Sequence, residues 1–233
     1  MRNHRLAVAM CGLLAGFGLT AANAADVADQ VASDCGACHQ LSGTADSLQA
    51  RAERKAPTLS YAGNKFQEAW LVSWLQSPGR IRPAGDFPLT HAKTGPDGDV
   101  IDEAALIQHP SLSEADARTV AAYLMTLTPH SDLIAAEDYT PGKVPERLGA
   151  MDFVKFKGCG ACHRDTPEYG GVSGPELYTA WNRLQPEFIV SYTRNPTAWE
   201  PYSIMPNKHL QTPQIHKIAD YLKVIGEKGA AAK

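Results

Sequence analysis

The 233-residue chain carries 22 basic and 25 acidic residues, a formal net charge of −3, and this mildly acidic balance disfavours nucleic acid as a partner, because such binding rests on phosphate neutralisation by Lys and Arg. Arg2 and Arg5 precede an apolar run from Leu6 to Leu19 and then Ala22-Asn23-Ala24, an A-x-A cleavage pattern, so residues 1–24 are expected to be a signal peptide removed on export to the periplasm. That run is too short to span a bilayer, and no later stretch approaches about 20 apolar residues, so no membrane span is expected in the mature chain. A lipid anchor at Cys11 is disfavoured, since little apolar sequence precedes it.

Without Cys11 four cysteines remain, as Cys35-Gly36-Ala37-Cys38-His39 and Cys159-Gly160-Ala161-Cys162-His163. Each is a C-x-x-C-H sequence of the kind that attaches haem. Residues three and four apart share one face of a helical turn, so two thioether bonds and one iron ligand can reach a single porphyrin. Disulfides, a four-thiolate zinc site or a redox-active dithiol are alternative uses of C-x-x-C. None of them explains a histidine directly after both pairs.

In chain order, a helix over Asp26 to Ser33 leads into the first motif, and Gln67 to Gln76 reads as an apolar-faced helix. Gly95-Pro96-Asp97-Gly98 is a turn signal between short alternating stretches and predicts a small hairpin. A further helix starts at Ser113, with Asp116 three residues on as a capping-box variant. Thr128 to Gly149 is rich in Pro, Gly and acidic residues and lacks an apolar period, so it reads as a linker in which His130 is expected to be solvated. Pro145 to Lys157 leads into the second motif, Pro186 to Arg194 matches the first middle helix, and a closing helix is expected from a Thr212 cap with Pro213 in the first turn.

The second half repeats the first. Pro57-x-Leu59-x(4)-Asn64 matches Pro175-x-Leu177-x(4)-Asn182 at an offset of 118, and Trp70-Leu71-Val72-Ser73-Trp74 meets Phe188-Ile189-Val190-Ser191-Tyr192 at the same offset. The final helices, Val120-Ala121-Ala122-Tyr123-Leu124 and Ile218-Ala219-Asp220-Tyr221-Leu222, are offset by only 98. The first half therefore carries about twenty extra residues between these blocks.

With C-x-x-C-H near its start and an Ala-x-Tyr-Leu helix at its end, each half resembles a class I cytochrome c domain. The resemblance implies an all-α fold of two tandem domains, 25–130 and 149–233, joined by a linker at 131–148, each wrapping one covalently bound haem, with a loop or hairpin insertion in the first. It implies that Cys35, Cys38, Cys159 and Cys162 hold the haems, that His39 and His163 are proximal iron ligands oriented by the carbonyls of Pro57 and Pro175, and that Met205 of Ile204-Met205-Pro206 is the distal ligand of the second haem. At the matching offset Phe87-Pro88 stands in place of Met205-Pro206, so the first haem departs from the pattern. His109, followed by Pro110 and shortly before the last helix of its half, is the preferred distal ligand there; His91, Met125 and an open site are alternatives. Tyr61, Trp70, Trp74, Arg80, Arg82, Trp181, Tyr192, Arg194 and Trp199 are candidates to pack on a haem or bond its propionates, though core packing explains most of them equally well.

The expected function is electron transfer between redox proteins in the periplasm, as a shuttle or as the cytochrome subunit of a larger oxidoreductase complex, with two c-type haems as cofactors. An electron carrier is preferred to an enzyme because no nucleophile–base pair or phosphate loop accompanies the motifs. The alternative is a dihaem enzyme, such as a peroxidase or an oxidoreductase of an inorganic compound, using the first haem.

Overall fold

A computed structural model of the chain describes residues 24–96 and 98–231. The signal peptide read at residues 1–24 lies outside them except for Ala24, which begins the first helix. Helices dominate, as an all-α class requires, and among the described residues the strands form a single two-stranded hairpin.

In the first half α1 (Ala24–Cys35) turns Val27 and Val31, one helical turn apart, into the core. It packs on α5 (Glu114–Met125), whose buried face is Ala117, Val120, Ala121 and Leu124. The small alanines let the two helices approach closely. Ser113 caps α5 as expected: its Oγ accepts the Asp116 N–H at 3.2 Å and donates to the Asp116 carboxylate at 2.7 Å. Between them come α2 (Leu48–Glu53), the single turn α3 (Ala62–Lys65) and α4 (Glu68–Gln76), which buries Leu71 and Leu75 against α5. The hairpin falls where the turn signal put it, β1 (Ala92–Gly95) pairing antiparallel with β2 (Gly98–Ile101) so that Gly95 faces Gly98.

In the second half α7 (Glu146–Met151) runs into one wide π turn, Asp152–Phe156, and stops at Gly158, whose φ of +66° suits glycine immediately before Cys159. Then follow α8 (Ala180–Arg183), α9 (Pro186–Arg194), α10 (Pro196–Trp199) and the closing helix α11 (Thr212–Ala231), which packs on α7, α8 and α9. Helix α7 crosses α11 at Gly149, where a Cβ would lie 2.4 Å from the Tyr221 ring. Thr212 is not the cap expected of it. Its hydroxyl accepts from Arg194 at 3.0 Å, and the helix end is closed one residue earlier, where the Gln211 N–H donates back to the Gln214 side chain at 3.0 Å.

The segment at 131–148 is docked rather than free. It contains α6 (Ser131–Ala135), which packs on α9. Glu137 forms a two-bond pair with Arg194 at 2.7 and 2.9 Å, and Asp220 of α11 accepts from the Tyr139 hydroxyl and the Gly142 N–H. His130 is not simply solvated: its ring packs on Trp199 at 5.1 Å and near Tyr61 at 5.8 Å. The segment lacks an apolar period, yet Tyr139 joins the core and Leu133, Ile134 and Val144 pack against it beside these polar anchors.

The halves meet along residues 63–67 and 181–185. Phe66 and Leu184 form a β-bridge, and the Gln67 and Gln185 N–H groups donate to Arg183 and Lys65 carbonyls at 3.0 and 2.9 Å. The buried apolar residues of both halves join in one continuous core, through Tyr61, Phe66, Phe188 and Trp199.

Candidate haem-binding sites

Both cysteine motifs hang on one tight helical turn. The N–H groups of Cys38 and His39 both donate to the Cys35 carbonyl at 3.1 and 2.9 Å, and those of Cys162 and His163 both donate to the Cys159 carbonyl at 3.1 Å. The two thiols and the imidazole of each motif therefore project from a single turn. The four cysteines of the two motifs are free, and among the described residues no group of three or more His, Cys, Asp and Glu side chains converges as a metal cage. Burial raises the Cys35 thiol above its ordinary value and pushes Cys159 up to about 11, keeping both protonated at neutral pH.

Each histidine of the motifs is oriented in the same way. His39 Nδ1 lies 2.6 Å from the Pro57 carbonyl, and His163 Nδ1 lies 2.7 Å from that of Pro175. A carbonyl only accepts, so Nδ1 carries the proton and Nε2 keeps the lone pair. Burial lowers both imidazoles below the usual value, against the opposing pull of the carbonyl, and so favours the neutral form that binds metals. The loops that deliver the carbonyls repeat as well: Leu59 and Leu177 N–H groups donate to the carbonyl of the residue after each histidine, Gln40 and Arg164, at 2.9 and 2.7 Å. At the second site Gly174 is required by close approach, since a Cβ there would lie 2.4 Å from His163 Cε1.

Of the residues weighed as the distal partner of His39, the structure brings His109 beside it. The ring centroids are 6.2 Å apart at 59°, and His109 Nδ1 is engaged at 2.8 Å by the Pro110 carbonyl, which again leaves Nε2 available. Trp74 backs His109 at 4.6 Å, held by its Nε1 donating to the Gly79 carbonyl at 2.9 Å, and continues a stack through Trp70 to Phe66. His91 lies elsewhere, packed on Gly85 beside the hairpin. Met125 ends α5, with its carbonyl against Gly63. Phe87 lies under the Arg51 guanidinium at 5.6 Å. Met205 stands half-buried in the loop between α10 and α11, its N–H on Ser203 Oγ at 3.2 Å; that hydroxyl also bonds the Tyr192 hydroxyl at 3.0 Å.

Sequence reasoning missed the buried ion cluster between the halves. Asp86 pairs with Arg51 and Arg54 at 2.9 and 2.8 Å, and Glu200 pairs with Arg54 at 3.0 Å and accepts from Tyr61 at 2.7 Å. Arg82 stands 3.6 Å from Asp86, so this candidate propionate partner already faces a carboxylate, as Arg194 faces Glu137. Burial pushes Lys65 down to about 7, with its ammonium over the Phe66 ring at 4.9 Å, and pushes Arg183 of the other half, at the same repeat position, down to about 10. The cluster joins residues as distant as Arg54 and Glu200, 146 positions apart, so no local pattern announces it.

Among the described residues no helix is long and apolar enough to cross a membrane. No curated protein and no solved structure matches the chain. Residues 21–128 match the family model described as Cytochrome c, and this match, together with the geometry around His39, supports a c-type cytochrome domain in that part of the chain, a kind of domain that carries covalently bound haem.

Proposed function

We propose that the chain is an exported dihaem cytochrome c, two tandem domains that pass electrons between redox proteins in the periplasm, as a shuttle or within a larger oxidoreductase complex. The observation that carries this reading is the duplicated histidine geometry. His39 and His163 each follow a C-x-x-C turn, each donates Nδ1 to a proline carbonyl 118 residues from its counterpart, and each keeps Nε2 for a ligand. The donor sets fit a c-type haem: paired free thiols, an imidazole with Nδ1 held by a carbonyl and, at the first site, a second imidazole whose ring centroid lies 6.2 Å from that of His39.

Cys35 and Cys38 would hold the first haem and Cys159 and Cys162 the second, with His39 and His109 as iron ligands of one and His163 and Met205 of the other. Bound haem iron supplies a one-electron couple. The Pro57 and Pro175 carbonyls fix the tautomers of His39 and His163, and a Met205 thioether against a His109 imidazole would give the second haem the higher potential. With both irons so ligated, the chain would serve electron transfer rather than chemistry on a bound substrate.

Mass spectrometry of the exported protein and a pyridine haemochrome assay test the count, with two haems per chain expected and one haem overturning the dihaem reading. A redox titration should resolve two components, the higher of which is lost in Met205→Ala. A single wave unchanged by that substitution removes Met205 from the ligand set.

A further inference from the structure

A cavity of about 340 Å³ lies between α2 and the first-half segment around the hairpin, lined by Arg54, Lys55 and Arg80 on one side and by His91 and Leu106 on the other. Arg54 is nearly fully buried, with 5 % of its side chain exposed. Its Nε and Nη2 are used by Asp86 and Glu200, while its Nη1 is buried and has no hydrogen-bond partner. His91 Nδ1 is likewise buried and unpartnered. The His91 backbone is fixed from both directions, its N–H on the Pro88 carbonyl and its own carbonyl accepting from Asp102 at 2.7 Å. Its ring fits only because residue 85 is glycine, at φ +76°, where a Cβ would stand 2.6 Å from Cδ2.

A buried polar atom without a partner costs about 1–3 kcal/mol; Arg54 Nη1 is always a donor and His91 Nδ1 is one when it carries the ring proton, so a single acceptor in the cavity satisfies both. Charge selects its kind. Lys55 and Arg80 are exposed and form no ion pair among the described residues, whereas Glu53, the acidic residue of the lining, accepts from Gln49. We propose that this cavity binds a carboxylate or a small oxyanion, held by Arg54 and His91 within and by Lys55 and Arg80 at the rim. Leu106 supplies an apolar wall suited to a short hydrocarbon arm behind the anionic group. Two sources present that chemistry, a free small anion and a propionate arm of the first haem; the second source rests on the dihaem reading above.

The test uses the full-length haem-loaded protein and the variant Lys55→Gln/Arg80→Gln, whose two sites are exposed and leave the core intact. Acetate and inorganic phosphate are titrated by calorimetry at low ionic strength, and resonance Raman spectra record the haem-propionate bending bands. Binding of either anion at one per chain, weakened at least fivefold in the variant, establishes a free-anion site. Absence of anion binding together with a shifted propionate band in the variant assigns the cavity to the haem arm. Neither response in a protein carrying both haems overturns the site and leaves the electron-transfer reading standing. Phosphate binding by a chain that lacks haem on Cys35 and Cys38 would do the reverse.

Discussion

Gln67 and Gln185 exchange the same hydrogen bonds across the junction of the two halves. The Gln67 amide donates to the Trp181 and Leu184 carbonyls at 2.6 and 2.9 Å, and the Gln185 amide donates to those of Gly63 and Phe66 at 2.7 and 2.9 Å. Donors and acceptors are all related by the 118-residue offset of the sequence repeat. The junction is therefore satisfied twice by one local solution, each half closing the turn of the other.

Replacing either glutamine by Ala leaves two carbonyls of a partly buried bridge without donors. Each single variant should lose about 1–3 kcal/mol of stability in urea unfolding. The two sites flank one bridge, so the double variant should deviate from the sum of the singles. Additive losses would show that the two amides act independently.

His109→Ala should convert the first haem to a high-spin form that binds carbon monoxide when reduced, while His91→Ala leaves it low-spin and closed. The expectation follows from the 6.2 Å approach of His109 to His39 and the packing of His91 on Gly85 instead. Absorption spectra of the two variants decide between them, and the opposite pattern would make His91 the ligand. Rapid carbon monoxide binding to the unaltered protein would instead favour an enzyme with an open first haem.

Acid should weaken the junction. Burial alone would raise the Asp86 and Glu200 carboxyls, but the guanidiniums around them prevail and hold both below the ordinary carboxylate range. With folded values lowered, their contribution is complete above the unfolded value of about 4 and is lost as pH falls through the folded ones. Asp86→Asn should flatten the fall of stability between about pH 5 and pH 2. It should also cost about 3–5 kcal/mol at pH 7, because Arg51 and Arg54 lose a buried partner. An unchanged acid slope in that variant would mean that other carboxylates govern acid unfolding.

Gly149→Ala drives a methyl group into the Tyr221 ring, which cannot retreat freely because its hydroxyl is held by Asp165 at 2.7 Å. Overpacking of this kind costs about 1–3 kcal/mol, and each kcal/mol lowers the melting temperature by about 2–4 °C in a chain of this size. Gly79→Ala, where a Cβ would meet nothing within 4 Å, serves as the control and should melt with the parent protein.

The sequence by itself determined what depends on neighbours along the chain. The C-x-x-C-H turns, the α4 and α9 segments, the Ser113 cap and the hairpin at Gly95 to Gly98 are set by spacings of a few residues, and the repeat offset tied Pro57 to Pro175 before any fold was known. The tertiary structure decided the rest. Two histidines followed His39 at comparable distances in sequence, and only the path of the chain around the hairpin puts His109 beside it and sends His91 to Gly85. The polar contacts of 131–148 and the pairing of Arg54 with Glu200 carry no periodic signature, because single ionic or hydrogen-bonded contacts between distant segments need no particular spacing. Hydrophobic periodicity reports which face of an element is buried; it does not report which distant polar group that face will meet.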